Sequence, residues 1–203
     1  MIQLVTDSSA DLTQELLNAY NISVIPLTIA IDGQEYLEGV DLTPQEFYKK
    51  MFNSKQLPKT SQPSPATFAK GFKALADKGS ILCLTISSGL SGTYQSACLG
   101  GEMSGADVKV FDTLAGSLGH GLQLIEAGKL IKQGFSLNKI LEYLEGFRKH
   151  ANILILLNTL ENIVKGGRLS KFQGQLAKVL DIKVLLEGVE GKVEIVEKIR
   201  GAK

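Results

Sequence analysis

Histidine and cysteine are scarce, with two of each in 203 residues, and each scarcity closes off a class of chemistry. Serine-based hydrolysis needs a base to take the hydroxyl proton, usually a histidine. His120 lies between Gly119 and Gly121, and His150 ends a charged stretch, so both read as structural or surface residues. No G-x-S-x-G elbow is present. The P-loop pattern is missing too, since the segment from Gly188 to Lys192 has the wrong spacing and leads into a strand. Cys83 and Cys98 form no C-x-x-C pair and have no ligand spacing. They read as reduced core residues, not as a disulfide framework or a zinc site. Asp7, Asp11, Asp32, Glu38 and Asp41 remain as a lesser alternative for a hard cation, and the expectation is no metal and no cofactor. Charge is nearly balanced, 22 basic against 21 acidic residues. The whole chain therefore has no bulk drive toward nucleic acid or anionic membranes. No apolar run approaches the roughly 20 residues of a membrane span. The chain enters a strand directly at Met1-Ile2-Gln3-Leu4-Val5, without a signal peptide, so the expected location is cytoplasmic.

Short apolar runs alternating with amphipathic helices make up the rest. The run from Ile81 to Ile86 reads as a strand buried on both faces. Ser91 then stands at the expected N-cap of a helix through Thr93, Tyr94, Ala97 and Cys98. Further strands are expected at Ile2–Val5 and Val108–Phe111. A β-rich run from Ile22 to Ile31 enters an Asp32-Gly33 hairpin signal and returns over Gln34–Leu37. Thr43-Pro44 opens a helix with Phe47, Tyr48 and Met51 on one face, and Ser64-Pro65 opens another with Phe68, Phe72 and Leu75. The prolines of 58–65 argue against regular structure there. Helices are expected over about 117–132 and 137–149, the second capped by Ser136. The fold class is α/β: a parallel-sheet, three-layer N-terminal domain over 1–150, and an incomplete second α/β domain over 151–203. The second part holds an apolar strand within 151–157, a helix near 158–164, a Gly166-Gly167-Arg168 turn with a helix after it, and a hairpin around Gly188 and Gly191. No internal repeat or low-complexity tract interrupts the pattern.

Three polar loops carry the candidate chemistry: Thr6-Asp7-Ser8-Ser9, Thr60-Ser61-Gln62-Pro63-Ser64 and Ser87-Ser88-Gly89-Leu90-Ser91-Gly92. The first and third follow strands, so in a parallel sheet they share one edge. Hydroxyls and free N–H groups at a helix N-terminus suit a carboxylate or phosphate oxygen without a buried cation. The same residues also serve as plain caps and turns. Residue types alone lead to a soluble α/β protein with an anion-receptive hydroxyl pocket.

Six motifs in register go further. Thr-Asp-Ser-Ser-Ala-Asp-Leu at 6–12, Pro-Leu-Thr-Ile at 26–29 and Thr-Ser-Gln-Pro-Ser at 60–64 resemble the DegV family in order and spacing. Ser-Ser-Gly-Leu-Ser-Gly-Thr-Tyr-Gln-Ser-Ala at 87–97, Asn-Thr-Leu-Glu at 158–161 and Lys-Gly-Gly-Arg-Leu-Ser at 165–170 do the same. The resemblance implies a bacterial, non-catalytic protein that binds a long-chain fatty acid in a tunnel between two α/β domains. It also implies presentation of the carboxylate to a separate ATP-dependent fatty acid kinase subunit, which makes an acyl phosphate. On this sequence the carboxylate-binding positions fall on Thr60 and Ser91, with Ser61 and Ser88 on the same loops and Gly92 supplying backbone. The partner-facing arginines fall on Arg168 and Arg200. Family members continue beyond the Lys-Ile-Arg-Gly at 198–201 and carry a carboxylate-holding histidine there, which neither His120 nor His150 matches. Two other readings stand beside this one. One is a small-molecule hydrolase or transferase using the Ser/Thr loops as an oxyanion site, and the other is a truncated remnant that binds no ligand.

Overall fold

The computed structural model describes residues 1–159, 161–168 and 182–200. The chain begins with β1 (Ile2–Asp7), α1 (Gln14–Ala19), β2 (Ile22–Ile25), β3 (Thr28–Ile31) and β4 (Gln34–Leu37). It continues with α2 (Pro44–Asn53), β5 (Lys59–Ser61), α3 (Pro65–Lys73), β6 (Ser80–Thr85) and α4 (Thr93–Ser104). Then come β7 (Val108–Asp112), α5 (Leu118–Lys132), α6 (Leu137–His150), β8 (Leu154–Leu157), α7 (Glu161–Gly166), β9 (Ile182–Val189) and β10 (Lys192–Arg200).

A four-stranded sheet in the order β2-β1-β6-β7 forms the centre, every pair parallel. Its apolar strands are unbroken because both faces are covered. Leu82 and Leu84 of β6 pack with Leu124 and Ala127 of α5 and with Ile140 and Leu144 of α6. Ile81 and Cys83, pointing the other way, pack with Phe68 and Phe72 of α3 and Ala97 of α4. This is the three-layer arrangement expected from the alternation. Gly100 permits the close α3–α4 approach, since a Cβ there would run into Phe68 and the Pro65 carbonyl.

Two antiparallel sheets flank the centre, in the orders β4-β3-β5 and β10-β9-β8. The β3–β4 hairpin turns at Asp32 and Gly33 with φ of 47° and 83°, the paired positive values of a type I′ turn. Thr43 caps α2 in a reciprocal capping box with Glu46. Four expectations need correction. The run from Ile22 to Ile31 is two strands in two sheets, because Pro26 lacks the N–H to continue the ladder. The segment 58–65 is not wholly irregular: β5 fits between Pro58 and Pro63 as an edge strand against β3. Tyr48 is exposed, so α2 packs through Phe47 instead. Ser136 holds the N-cap position of α6 but makes no side-chain cap bond. The helix near 158–164 is α7, and the helix expected after Arg168 lies outside the described residues. Among the described residues, no helix is long and apolar enough to cross a membrane.

Candidate functional site

The parallel order of β1 and β6 brings the loops after them to one sheet edge, and Asp7 joins the two. Its Oδ1 accepts the Ser9 N–H at 3.0 Å and the Ser9 hydroxyl at 2.5 Å, while Oδ2 accepts the Ile86 N–H at 2.8 Å. A fully buried carboxylate with three donors is a fastening, not a free base. Below it, His120 of α5 is also completely buried. Its Nε2 is 2.9 Å from Thr6 Oγ1 and 3.2 Å from the Leu84 carbonyl oxygen. A carbonyl only accepts, so Nε2 carries a proton. Burial lowers its pKa, outweighing the opposing pull of Asp7 and the Leu84 bond. Its Nδ1 lies 3.5 Å from the Ser9 hydroxyl, which itself donates to Asp7, so the histidine is fixed in the core beneath the first loop.

After β6 the chain forms the hydroxyl loop. The expectation that Ser91 caps α4 is off by one residue: Gly92 is the N-cap and has no side chain to offer. Ser91 instead accepts the Thr93 N–H at 3.3 Å, and its hydroxyl lies 2.9 Å from Thr93 Oγ1. With no side-chain cap on Gly92, the N–H groups of Tyr94 and Gln95, next after Thr93, remain open to an anion. Gln62 closes the other side. Its amide donates to Ser96 Oγ at 2.9 Å, and it lies so close over Gly92 that a Cβ there would strike it. The end of β5, with exposed Thr60 and Ser61, is thereby held at the N-terminus of α4 against Gly92. Ser88 takes the other flank, where its N–H meets Asp112 Oδ1 at 3.2 Å.

The β9–β10 turn supports this loop from behind. Ser87 Oγ donates to the Gly191 carbonyl at 2.5 Å and accepts the Gly89 N–H at 3.0 Å. Sequence reading missed both Gln62 as a tie and Gly191 as a support. Gln62 lay within a quoted motif, whereas nothing local marks a contact between positions 87 and 191. Arg168 is exposed and folds back, its Nη1 donating to the Gly166 carbonyl at 2.6 Å. Arg200 ends β10, and its side chain lies outside the described residues.

Two concavities adjoin these elements, and their linings differ in kind. A cavity of about 840 Å³ lies between α1, α2 and the ends of β1 and β2, and three carboxylates line it, Asp7, Asp11 and Glu38. Burial is the main cause of a raised Glu38 pKa; the Ser8 hydrogen bond at 2.6 Å opposes it, and Asp11 and Asp7 reinforce it. Among the described residues no cluster of three groups has metal-holding geometry, so the five acids do not assemble as a cation site. Asp32 accepts from Ser54, and Asp41 from the Leu37 N–H. The other concavity, about 450 Å³, is a cleft between α5, the end of α6 and β8. It is lined by Leu118, Leu122, Phe147, Ile153 and Leu154, with His150 and Asn152 as its polar side chains and no carboxylate. Gly116, two residues before Leu118, sits against Ile86 and Leu90 of the hydroxyl loop, so loop and cleft are neighbours.

Comparison with known proteins agrees with these motifs. Residues 1–203 match the family model described as "Uncharacterised protein, DegV family". A DegV domain-containing protein of Staphylococcus aureus is 37% identical over 198 residues, covering 97% of this chain and 71% of that one. A DegV family protein from Thermus thermophilus, solved for its fatty acid binding, superposes with a TM-score of 0.89 at 37% identity, over 98% of this chain and 72% of that one. A stearic-acid-binding protein from Eubacterium ventriosum gives a TM-score of 0.92 at 27% identity, over 99% and 71%. With matched motifs, matched fold and a family match from end to end, the chain belongs to the DegV family.

Proposed function

We propose that this protein binds a long-chain fatty acid, its carboxylate held between the end of β5 and the N-terminus of α4. The observation that supports the reading is the tie of Gln62 to Ser96 and Gly92, which brings the end of β5, where Thr60 and Ser61 stand, to the open N-terminus of α4. Ser88 completes the hydroxyl set from the β7 side. Removing a carboxylate from water costs several kcal/mol unless it is hydrogen-bonded, and each bond to it returns about 1.5–3 kcal/mol. The helix N-terminus adds about 0.3–1 kcal/mol. Most of the affinity comes from the tail, at roughly 0.8 kcal/mol per buried methylene.

The tail belongs in the cleft between α5 and β8. The larger cavity also has apolar walls, among them Leu12, Leu17, Ile29 and Phe47, but three carboxylates stand in it, whereas the Leu118–Leu154 cleft holds none and adjoins the hydroxyl loop. Solved relatives described as fatty-acid binding support the ligand class. In this reading the chain is divided near residue 150, and the cleft lies where the 1–150 and 151–203 domains meet. The protein is a carrier that performs no phosphoryl transfer. It presents the carboxylate to a separate ATP-dependent kinase subunit, with Arg168 and Arg200 as contacts for that partner.

Denaturing mass spectrometry of freshly purified protein tests the ligand, and a released long-chain acid is the expected result. A Thr60→Val, Ser91→Ala double variant should keep its circular dichroism and bind at least about tenfold more weakly, as loss of two charge-assisted bonds requires. Absence of lipid together with no binding on titration overturns the reading. Undiminished binding by the double variant overturns the placement of the carboxylate.

A further inference from the structure

Helix α2 leaves an aromatic face without a partner. Phe52 is 79% exposed and Tyr48 55% exposed, and their rings stack with centroids 6.4 Å apart. Val40, beside the start of the helix, is also largely exposed. Along α2 and the segment after it the charge is one-sided although the whole chain is nearly neutral, the nearest acids outside it being Glu38 and Asp41 beside Val40 and Asp32 against Ser54. Between Pro44 and Thr60 stand four lysines, at 49, 50, 55 and 59, against the single glutamate Glu46. Glu46 is turned back onto Thr43 in the capping box. Lys50 leans on the Tyr36 ring, whereas Lys49, Lys55 and Lys59 are exposed. Lys49, Lys50, Lys55 and Lys59 form no ion pair with a carboxylate among the described residues.

We propose that α2 docks the protein on an anionic lipid bilayer, with Phe52 and Tyr48 entering the headgroup–acyl boundary and the lysines facing the lipid phosphates. Exposed aromatics on one helical face, flanked by lysine, are the residue pattern of an interfacial helix. Lysines near an anionic leaflet are attracted over about a Debye length. A second copy of the chain fits poorly. Two aromatic side chains bury about 150–250 Å² each, well short of the roughly 800 Å² per partner of a standard protein interface. A two-fold pairing would also set lysine against lysine. A bilayer needs only a shallow, charge-matched contact. The proposal stands on the surface of α2 alone and is independent of the fatty-acid reading.

Flotation with vesicles of equal parts phosphatidylglycerol and phosphatidylcholine tests it, with pure phosphatidylcholine vesicles alongside. The full chain should float with the anionic vesicles, stay behind with the neutral ones, and be released by salt. Tyr48→Ser with Phe52→Ser should cut the bound fraction at least about tenfold, as should Lys49→Glu with Lys55→Glu. All four side chains are exposed, so circular dichroism should be unchanged. Failure to float with anionic vesicles overturns the proposal. So does equal flotation of the aromatic variant, or a dimer in light scattering that this variant dissolves without any vesicle binding.

Discussion

The Ser87 hydroxyl donates to the Gly191 carbonyl oxygen at 2.5 Å, joining residues 104 positions apart. Ser87 also accepts from Gly89, so one buried side chain both shapes the hydroxyl loop and anchors the β9–β10 turn. Ser87→Ala strands the Gly191 carbonyl in a dry site. It should cost about 1–3 kcal/mol in urea unfolding. Amide exchange at residues 189–192 should accelerate more than that within β6.

Gly92→Ala should separate binding from stability. At φ −73° an alanine is conformationally acceptable, and the atom it strikes is the far end of the flexible Gln62 side chain. The folded state should therefore change by less than about 1 kcal/mol. Displacing Gln62 releases the end of β5 from α4, so fatty acid affinity should fall roughly tenfold, the worth of one bond to a charged group. Isothermal titration read beside a urea melt checks both halves.

His120 predicts a direction for stability against pH. Its folded pKa lies below the ordinary 6.5, so above that value both folded and unfolded forms are neutral and the stability is fully present. As pH falls below 6.5, the unfolded chain takes up a proton that the folded one refuses, and stability declines until the folded pKa is passed. Urea midpoints measured down from pH 7.5 should show this decline. In His120→Gln the same segment should be flatter, on a lower baseline.

Glu38 runs the opposite way. Its folded pKa lies above the ordinary 4.5, so its stabilising contribution is present below that value and lost as pH rises through the folded pKa. Glu38→Gln keeps an acceptor for the Ser8 hydroxyl and removes the charge. Thermal melts should place the variant above wild type at neutral pH, with the gap closing below pH 4.5.

The central sheet was legible because β1 and β6 are buried on both faces and so appear as unbroken apolar runs. Asp32-Gly33, Thr43-Pro44 and Ser64-Pro65 were legible because each acts through its own backbone. The three-residue β5 was not, since an exposed edge strand between two prolines has neither hydrophobic period nor length. At the site, Thr60, Ser61, Ser91 and Gly92 were named from their motifs. What joins the end of β5 to α4 is Gln62 reaching Ser96 and lying over Gly92, a tertiary contact with no local signature. The exposure of Tyr48 was misread because periodicity marks a face as apolar without saying what covers it.

The break at Pro26 has a mechanical consequence. Residues 27–62 leave the parallel sheet, build a small core of their own around Ile29, Ile31 and Leu42, and return at Pro63. Among the described residues, hydrogen bonds tie this excursion to the rest through two serines: Ser8, bonded to Leu27 and Glu38, and Ser96, bonded to Gln62. A unit so lightly moored opens at far lower free energy than the core. Both the aromatic face of α2 and Thr60 lie on this excursion. A bilayer that draws on the helix therefore pulls on the same small unit whose far end, through Gln62, rests against α4.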